Sequence, residues 1–90
     1  MDFDYDPAKS ATNKKKHSID FEEAKGLWDD KDRLLVPARS ETESRFAMLT
    51  EYRERIWVAF FTVRQDRIRI ISVRRARPNE QEEYESRRTG

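Results

Sequence analysis

Between Arg55 and Arg75 the chain reads RIWVAFFTVRQDRIRIISVRR, and this stretch limits the possible fold more than any other. RIWVAFFTV is apolar at successive positions, so both its faces need cover, as in a central strand. Gln65-Asp66 supplies a two-residue turn, and RIRIISVRR then alternates as a strand does. Unbroken alternation puts Ile68, Ile70, Ser72 and Arg74 on one face. Arg67, Arg69, Ile71, Val73 and Arg75 fall on the other. Two strands alone are marginal in water, so the rest of the chain must supply more strands and a helical layer.

It supplies both. DFDYD (Asp2 to Asp6) alternates and reads as a short edge strand. Asp6-Pro7 is a helix start, with Asp as the cap and Pro at the first helical position, and the helix runs to His17-Ser18. Asp20 with Glu23 forms a capping box for a second helix. Phe21, Ala24, Leu27 and Trp28 recur on its inward face, while Gly26 weakens it and DDKD ends it. RLLVPAR is an edge or bulged strand because of Pro37. SRFAMLTEY places Phe46, Met48 and Tyr52 on one face and Arg45, Ala47 and Leu49 on the other, and Arg53-Glu54 turns the chain into RIWVAFFTV. Pro78, with Asn79 and Glu82 as a further capping box, opens a terminal helix that ends on Arg87-Arg88, as the helix dipole favours. The expected fold class is α+β. Two N-terminal helices, a four-stranded antiparallel sheet with a short N-terminal strand, and a C-terminal helix form one domain over residues 1–90, helices against one sheet face.

With 90 residues, 41% of them charged, the chain can build a thin core and a shallow site. Its ten aromatics and central apolar run separate it from disordered chains. There is no cysteine, which excludes disulfides, thiolate metal sites and cysteine nucleophiles. A single histidine excludes a histidine-cluster metal site, and Asp29, Asp30 and Asp32 read as a solvated turn. No cofactor is expected. The acidic N-terminus lacks the apolar core of a signal peptide, and no stretch reaches membrane-spanning length, so a cytoplasmic protein without a membrane partner is expected.

The net charge of +1 conceals an asymmetry. Residues 1–44 carry 8 Lys/Arg against 11 Asp/Glu, and residues 45–90 carry 11 against 7. Five arginines lie between Arg67 and Arg77 with no acid among them. Forked guanidinium donors match phosphate oxygens, so Arg74, Arg75 and Arg77 at a strand end could hold a phosphodiester. A solvated edge paired to Glu80, Glu82 and Glu83 fits the same string. Lys14, Lys15, Lys16 and His17 close the first helix, where positive charge also complements the dipole. Asn13, Lys16 and His17 share one helical face. Ser72 reads as a core hydroxyl, since no histidine–acid pair stands at triad spacing.

These residues, in this order, resemble the BrnT family of type II toxin–antitoxin systems. The resemblance rests on Asp6-Pro7-x-Lys9 with Asn13-x-x-Lys16-His17, then Phe21-Glu22-Glu23-Ala24 with Asp29-Asp30. Arg45-Phe46 and Arg69-Ile70-Ile71-Ser72-x-Arg74-x-Ala76 follow, with Tyr84 in the last helix. It spans Asp6 to Tyr84 and implies a RelE-like ribonuclease toxin silenced by a cognate ribbon-helix-helix antitoxin. Operator DNA would be contacted only through that antitoxin. Two departures stand out: Ser18 replaces the glycine usual after Lys-His, and Thr50-Glu51 replaces a glycine near the second strand's turn.

An RNA-cutting site can borrow the 2′-OH of its substrate as nucleophile. It then needs a base, an acid and cations for the developing phosphorane charge, with no metal. Histidine suits either proton role. Matched motif positions make His17, Lys16, Arg69, Arg74, Glu22 and Tyr84 the catalytic candidates, with no role assigned among them. Arg45, Arg67, Arg75 and Arg77 are the RNA-binding candidates. A non-catalytic RNA-binding module and a pure protein-interaction module stay open beside the endoribonuclease.

Overall fold

The computed structural model describes residues 2–38 and 44–89. A five-stranded sheet, in the order β1-β5-β4-β3-β2, carries α-helices on both faces. Its strands are β1 (Phe3–Asp4), β2 (Leu34–Ala38), β3 (Arg45–Tyr52), β4 (Arg55–Arg64) and β5 (Arg67–Arg75). The four long strands form an antiparallel meander, and β1 pairs parallel to β5, which makes the sheet mixed. Arg39, the last residue of the expected RLLVPAR strand, lies outside the described residues.

Helix α1 (Pro7–His17) starts where Asp6 accepts the Ala8 N–H at 2.9 Å and Pro7 takes the first position. It has no large apolar residue, and its buried stripe is Ser10 and Asn13. These are hydrogen-bonded: Ser10 Oγ accepts the Phe21 N–H at 2.9 Å, and Asn13 bridges Ile19 and β5. Helix α2 (Phe21–Ala24) begins on the expected Asp20–Glu23 box, lasts one turn, and tightens into a 3-10 segment over Lys25–Asp29. Gly26 permits that segment to lie against the sheet, since a Cβ there would sit 2.5 Å from Cε1 of Tyr52. Phe21, Ala24 and Leu27 are buried with Met48, Trp57, Ala59, Phe61, Ile70 and Val73.

The expectation of helices on one face alone needs correcting. Helix α3 (Pro78–Thr89) packs Tyr84 onto the opposite face, over Ala47, Leu49, Ile56 and Val58. It also starts earlier than its sequence suggests. The carbonyl of Arg77 accepts the Glu80 and Gln81 N–H groups, and Glu80 reaches back to the Arg77 N–H at 2.8 Å. Arg77 is therefore the cap and Pro78 the first helical residue, which displaces the Asn79–Glu82 box.

The alternation expected along β5 is also broken. Phe60 pairs with Ser72 and Phe61 with Ile70, leaving Ile71 as a bulge. The extra residue reverses the phase. Ile68, Ile70, Val73 and Arg75 share the face of α1 and α2, while Arg67, Arg69, Ser72 and Arg74 share the α3 face. Asp30 is likewise no solvated turn residue. Its carboxylate accepts the Tyr84 hydroxyl at 2.6 Å, the Glu51 N–H at 2.8 Å and the Thr50 hydroxyl at 3.2 Å. Burial pushes this carboxyl up, but these donors and the Asp32 N–H outweigh it and hold it below its ordinary range.

Candidate functional site

Two local structures meet at one end of the α1 face. The first is the end of α1. Ser18 adopts φ 65° and ψ 18°, and its N–H returns to the Lys14 carbonyl. This is the left-handed helix stop that glycine usually occupies. Asn13 donates to the Ile19 carbonyl at 2.8 Å and accepts the Val73 N–H at 3.1 Å, fixing the helix end and the chain after it to β5. Lys16 and His17 project from this anchored end.

The second is the β3–β4 hairpin. Arg53 and Glu54 have φ of 52° and 65°, the pattern of a turn whose twist suits a two-residue hairpin. The indole N–H of buried Trp57 donates to the Tyr52 carbonyl at 3.0 Å and braces the turn. Arg75 pairs with Trp57 across β4–β5 and holds its guanidinium 5.7 Å from the ring. The result is an open groove of about 490 Å³ lined by Lys16, His17, Ser18, Arg53, Arg55, Trp57 and Arg75.

Its charge is unbalanced. Glu23 takes Lys14 at 2.6 Å and Arg53 at 3.1 Å, and it accepts the Asp20 N–H, while Glu51, Glu54 and Glu85 line the adjoining recess beyond Arg53, Arg55 and Arg75. The Lys14 hydrogen bond, then the backbone bond at Asp20, bring the Glu23 carboxyl down to about 2. Lys16, Arg55 and Arg75 make no ion pair among the described residues. All three are exposed, and like charges converging over an apolar floor create a field that attracts an anion. Arg53 and Arg55 were not among the sequence candidates. The available signal was a basic turn lacking Asn or Gly, since positive φ at other residues marks a position held against local preference.

The structure brings Lys16, His17 and Arg75 together and disperses the other candidates. Arg45, Arg67, Arg69 and Arg74 face the α3 side of the sheet. Arg69 grips Asp4 at 2.7 Å across the β1–β5 pairing. Arg74 makes two bonds to Glu80, at 2.8 and 2.9 Å, and lies 5.4 Å from the Phe60 ring centre. That pairing holds the Glu80 carboxyl below its ordinary range. Arg67 begins β5, eight residues from Arg75, a separation of ~26 Å along a strand. Arg45 begins β3, at the end away from the hairpin. Arg77 is exposed at the start of α3. Glu22 binds Lys25 at 2.7 Å and the Tyr5 hydroxyl at 3.0 Å. Tyr84 is 1% exposed, and burial, with the Asp30 bond second, drives its hydroxyl well above its ordinary range.

A family comparison matches residues 5–80 to the family described as "Ribonuclease toxin, BrnT, of type II toxin-antitoxin system". The chain belongs to the BrnT family. The match takes in α1, all four long strands and the groove, and it ends at Glu80, the residue that holds Arg74. As a BrnT toxin it has RNA as its substrate class and an antitoxin as its partner. A search among curated proteins finds no match. No helix among the described residues is long and apolar enough to cross a membrane.

Proposed function

We propose that this BrnT chain is an endoribonuclease that cuts RNA in the Lys16–His17–Arg75 groove by attack of a 2′-OH on its own phosphate, without a metal ion. The observation that carries this reading is the convergence of Lys16, Arg55 and Arg75, none ion-paired among the described residues, on the one histidine of the chain. A phosphodiester in the groove meets guanidinium forks from Arg55 and Arg75, which stabilise the charge that grows on the phosphorane oxygens. His17 and Lys16 exchange the protons at the 2′-oxygen and the 5′-oxygen. Trp57 gives the site a water-poor floor that strengthens those charge interactions. Arg69, Arg74, Glu22 and Tyr84 act as positioning residues through Asp4, Glu80, Lys25 and Asp30. Cations crowd the groove, and among the described residues no group of three or more His, Asp or Glu could hold an ion. The cognate antitoxin, of ribbon-helix-helix type, neutralises the toxin in the cytoplasm and carries it to operator DNA.

The test is product chemistry. Purified toxin incubated with RNA and a chelator should release fragments with 2′,3′-cyclic phosphate and 5′-hydroxyl ends. An all-deoxy strand of the same sequence should bind and stay intact. Arg75→Ala should slow cleavage by ~10²–10³, the range found for loss of one donor to a developing oxyanion. A strict need for magnesium, or cutting of the deoxy strand, would overturn this mechanism. RNA retained without any cleavage would instead favour a binding module.

A further inference from the structure

A second recess lies on the other side of Lys16 and His17. It holds about 310 Å³ and is bounded by Ala8, Lys9 and Thr12 of α1 and by Ile71 and Ser72 of β5. We propose that this recess seats one nucleobase of the bound RNA strand and selects a base that carries a keto oxygen where cytosine and adenine carry an amino group. The inference rests on the ribonuclease reading of the neighbouring groove and deepens it to substrate choice.

Three observations support it. The recess and the groove share Lys16 and His17, so a strand whose phosphate lies at the arginines has an adjoining base within reach. The β5 bulge places Ile71 at the recess, where it and Ala8 form apolar walls for a base. Bulges commonly re-aim side chains beside functional sites in this way.

The third is the hydrogen-bonding inventory. Asn13 is the one lining side chain that could both donate and accept through an amide, and both its ends are spent, on Ile19 and on Val73. The Thr12 hydroxyl donates to the Ala8 carbonyl at 3.1 Å. Lys9 and Lys16 remain beside His17, which the groove shares; the Ser72 side chain turns to the α3 face, and no carboxylate lines the recess. Ammonium groups only donate. They match O4 of uracil or O6 and N7 of guanine, and they oppose the amino groups of cytosine and adenine.

Uracil and cytosine differ mainly in this respect, so labelled hexaribonucleotides of each make the test. Phosphate contacts are common to both and cancel in the ratio. The wild-type toxin should bind the uridine hexamer ~10-fold more tightly than the cytidine hexamer, within the discrimination a good side-chain–base match provides. Lys9→Met, which removes an exposed ammonium, and Ala8→Phe, which fills the recess, should both bring the ratio to about one. Circular dichroism checks that each variant is folded. Equal affinities in the wild type, or a ratio that survives Lys9→Met, would overturn the subsite. Mapping cuts in a mixed-sequence RNA separates the two proposals. Tight uridine binding with no cutting overturns the ribonuclease reading and leaves the subsite. Cutting without base preference, with equal affinities, does the reverse.

Discussion

At the scale of single residues, two side chains near the groove have measurable consequences for stability. Ser18 holds a left-handed backbone conformation that costs an L-residue roughly 1–2 kcal/mol and glycine almost nothing. Ser18→Gly should therefore raise stability by about 1 kcal/mol, read as a higher urea midpoint at unchanged slope. A lower midpoint would mean that the Ser18 side chain contributes more than its backbone costs. Glu23 sets the behaviour in acid. Its folded carboxyl lies at about 2, below the ordinary 4.5, so its contribution is fully present above pH 4.5. That contribution is lost as pH falls from 4.5 toward 2. Unfolding followed across this window should show the wild type losing more stability than Glu23→Gln, and parallel curves would count against the Lys14–Glu23–Arg53 linkage.

Among the elements, α3 is the one most dependent on a few contacts. Tyr84 and the Arg74–Glu80 pair attach it to the sheet, and Tyr84 reaches through to Asp30. Tyr84→Phe keeps the ring and removes one donor from a half-buried carboxylate, so it should cost about 1.5–3 kcal/mol in chemical denaturation. Amide exchange should rise first in α3, and a loss below ~0.5 kcal/mol would show that Asp30 is satisfied without Tyr84. Most of this layer was legible in the sequence. The Asp6 cap, the Asp20–Glu23 box, both two-residue turns and the two faces of β3 follow from local patterns that tertiary packing left intact. The faces of β5 were not legible, because a period of two has no means of announcing one extra residue. Nor was α3's side of the sheet, which depends on a tyrosine finding an aspartate 54 residues away.

At the scale of the whole molecule, the arginine-rich strand divides its labour. One of its residues reaches the groove, two are held by acids, and the meander adds Arg53 and Arg55 from a turn without Asn or Gly. Lys16 and His17 were legible as candidates from the Asn13-x-x-Lys16-His17 motif, and Arg75 from the cluster of arginines at the strand end. Their partners come from chain reversal, which only the folded sheet supplies. RNA affinity should fall as salt rises, with each phosphate contact adding about 0.7 to the log–log slope. Arg75→Ala should lower that slope by ~0.7, and Arg67→Ala, at the far end of β5, should leave it unchanged. Equal effects from the two would place the strand elsewhere on the surface.

The Arg53–Glu54 turn sets robustness against potency. Both residues hold a conformation that asparagine and glycine adopt far more readily, so drift toward a sturdier fold leads to Asn-Gly at this dipeptide. The same step removes a cation from the groove. A lineage of such toxins cannot improve both properties here at once. Selection for heat resistance alone should yield well-folded, feeble descendants, whereas selection for killing should keep the awkward turn.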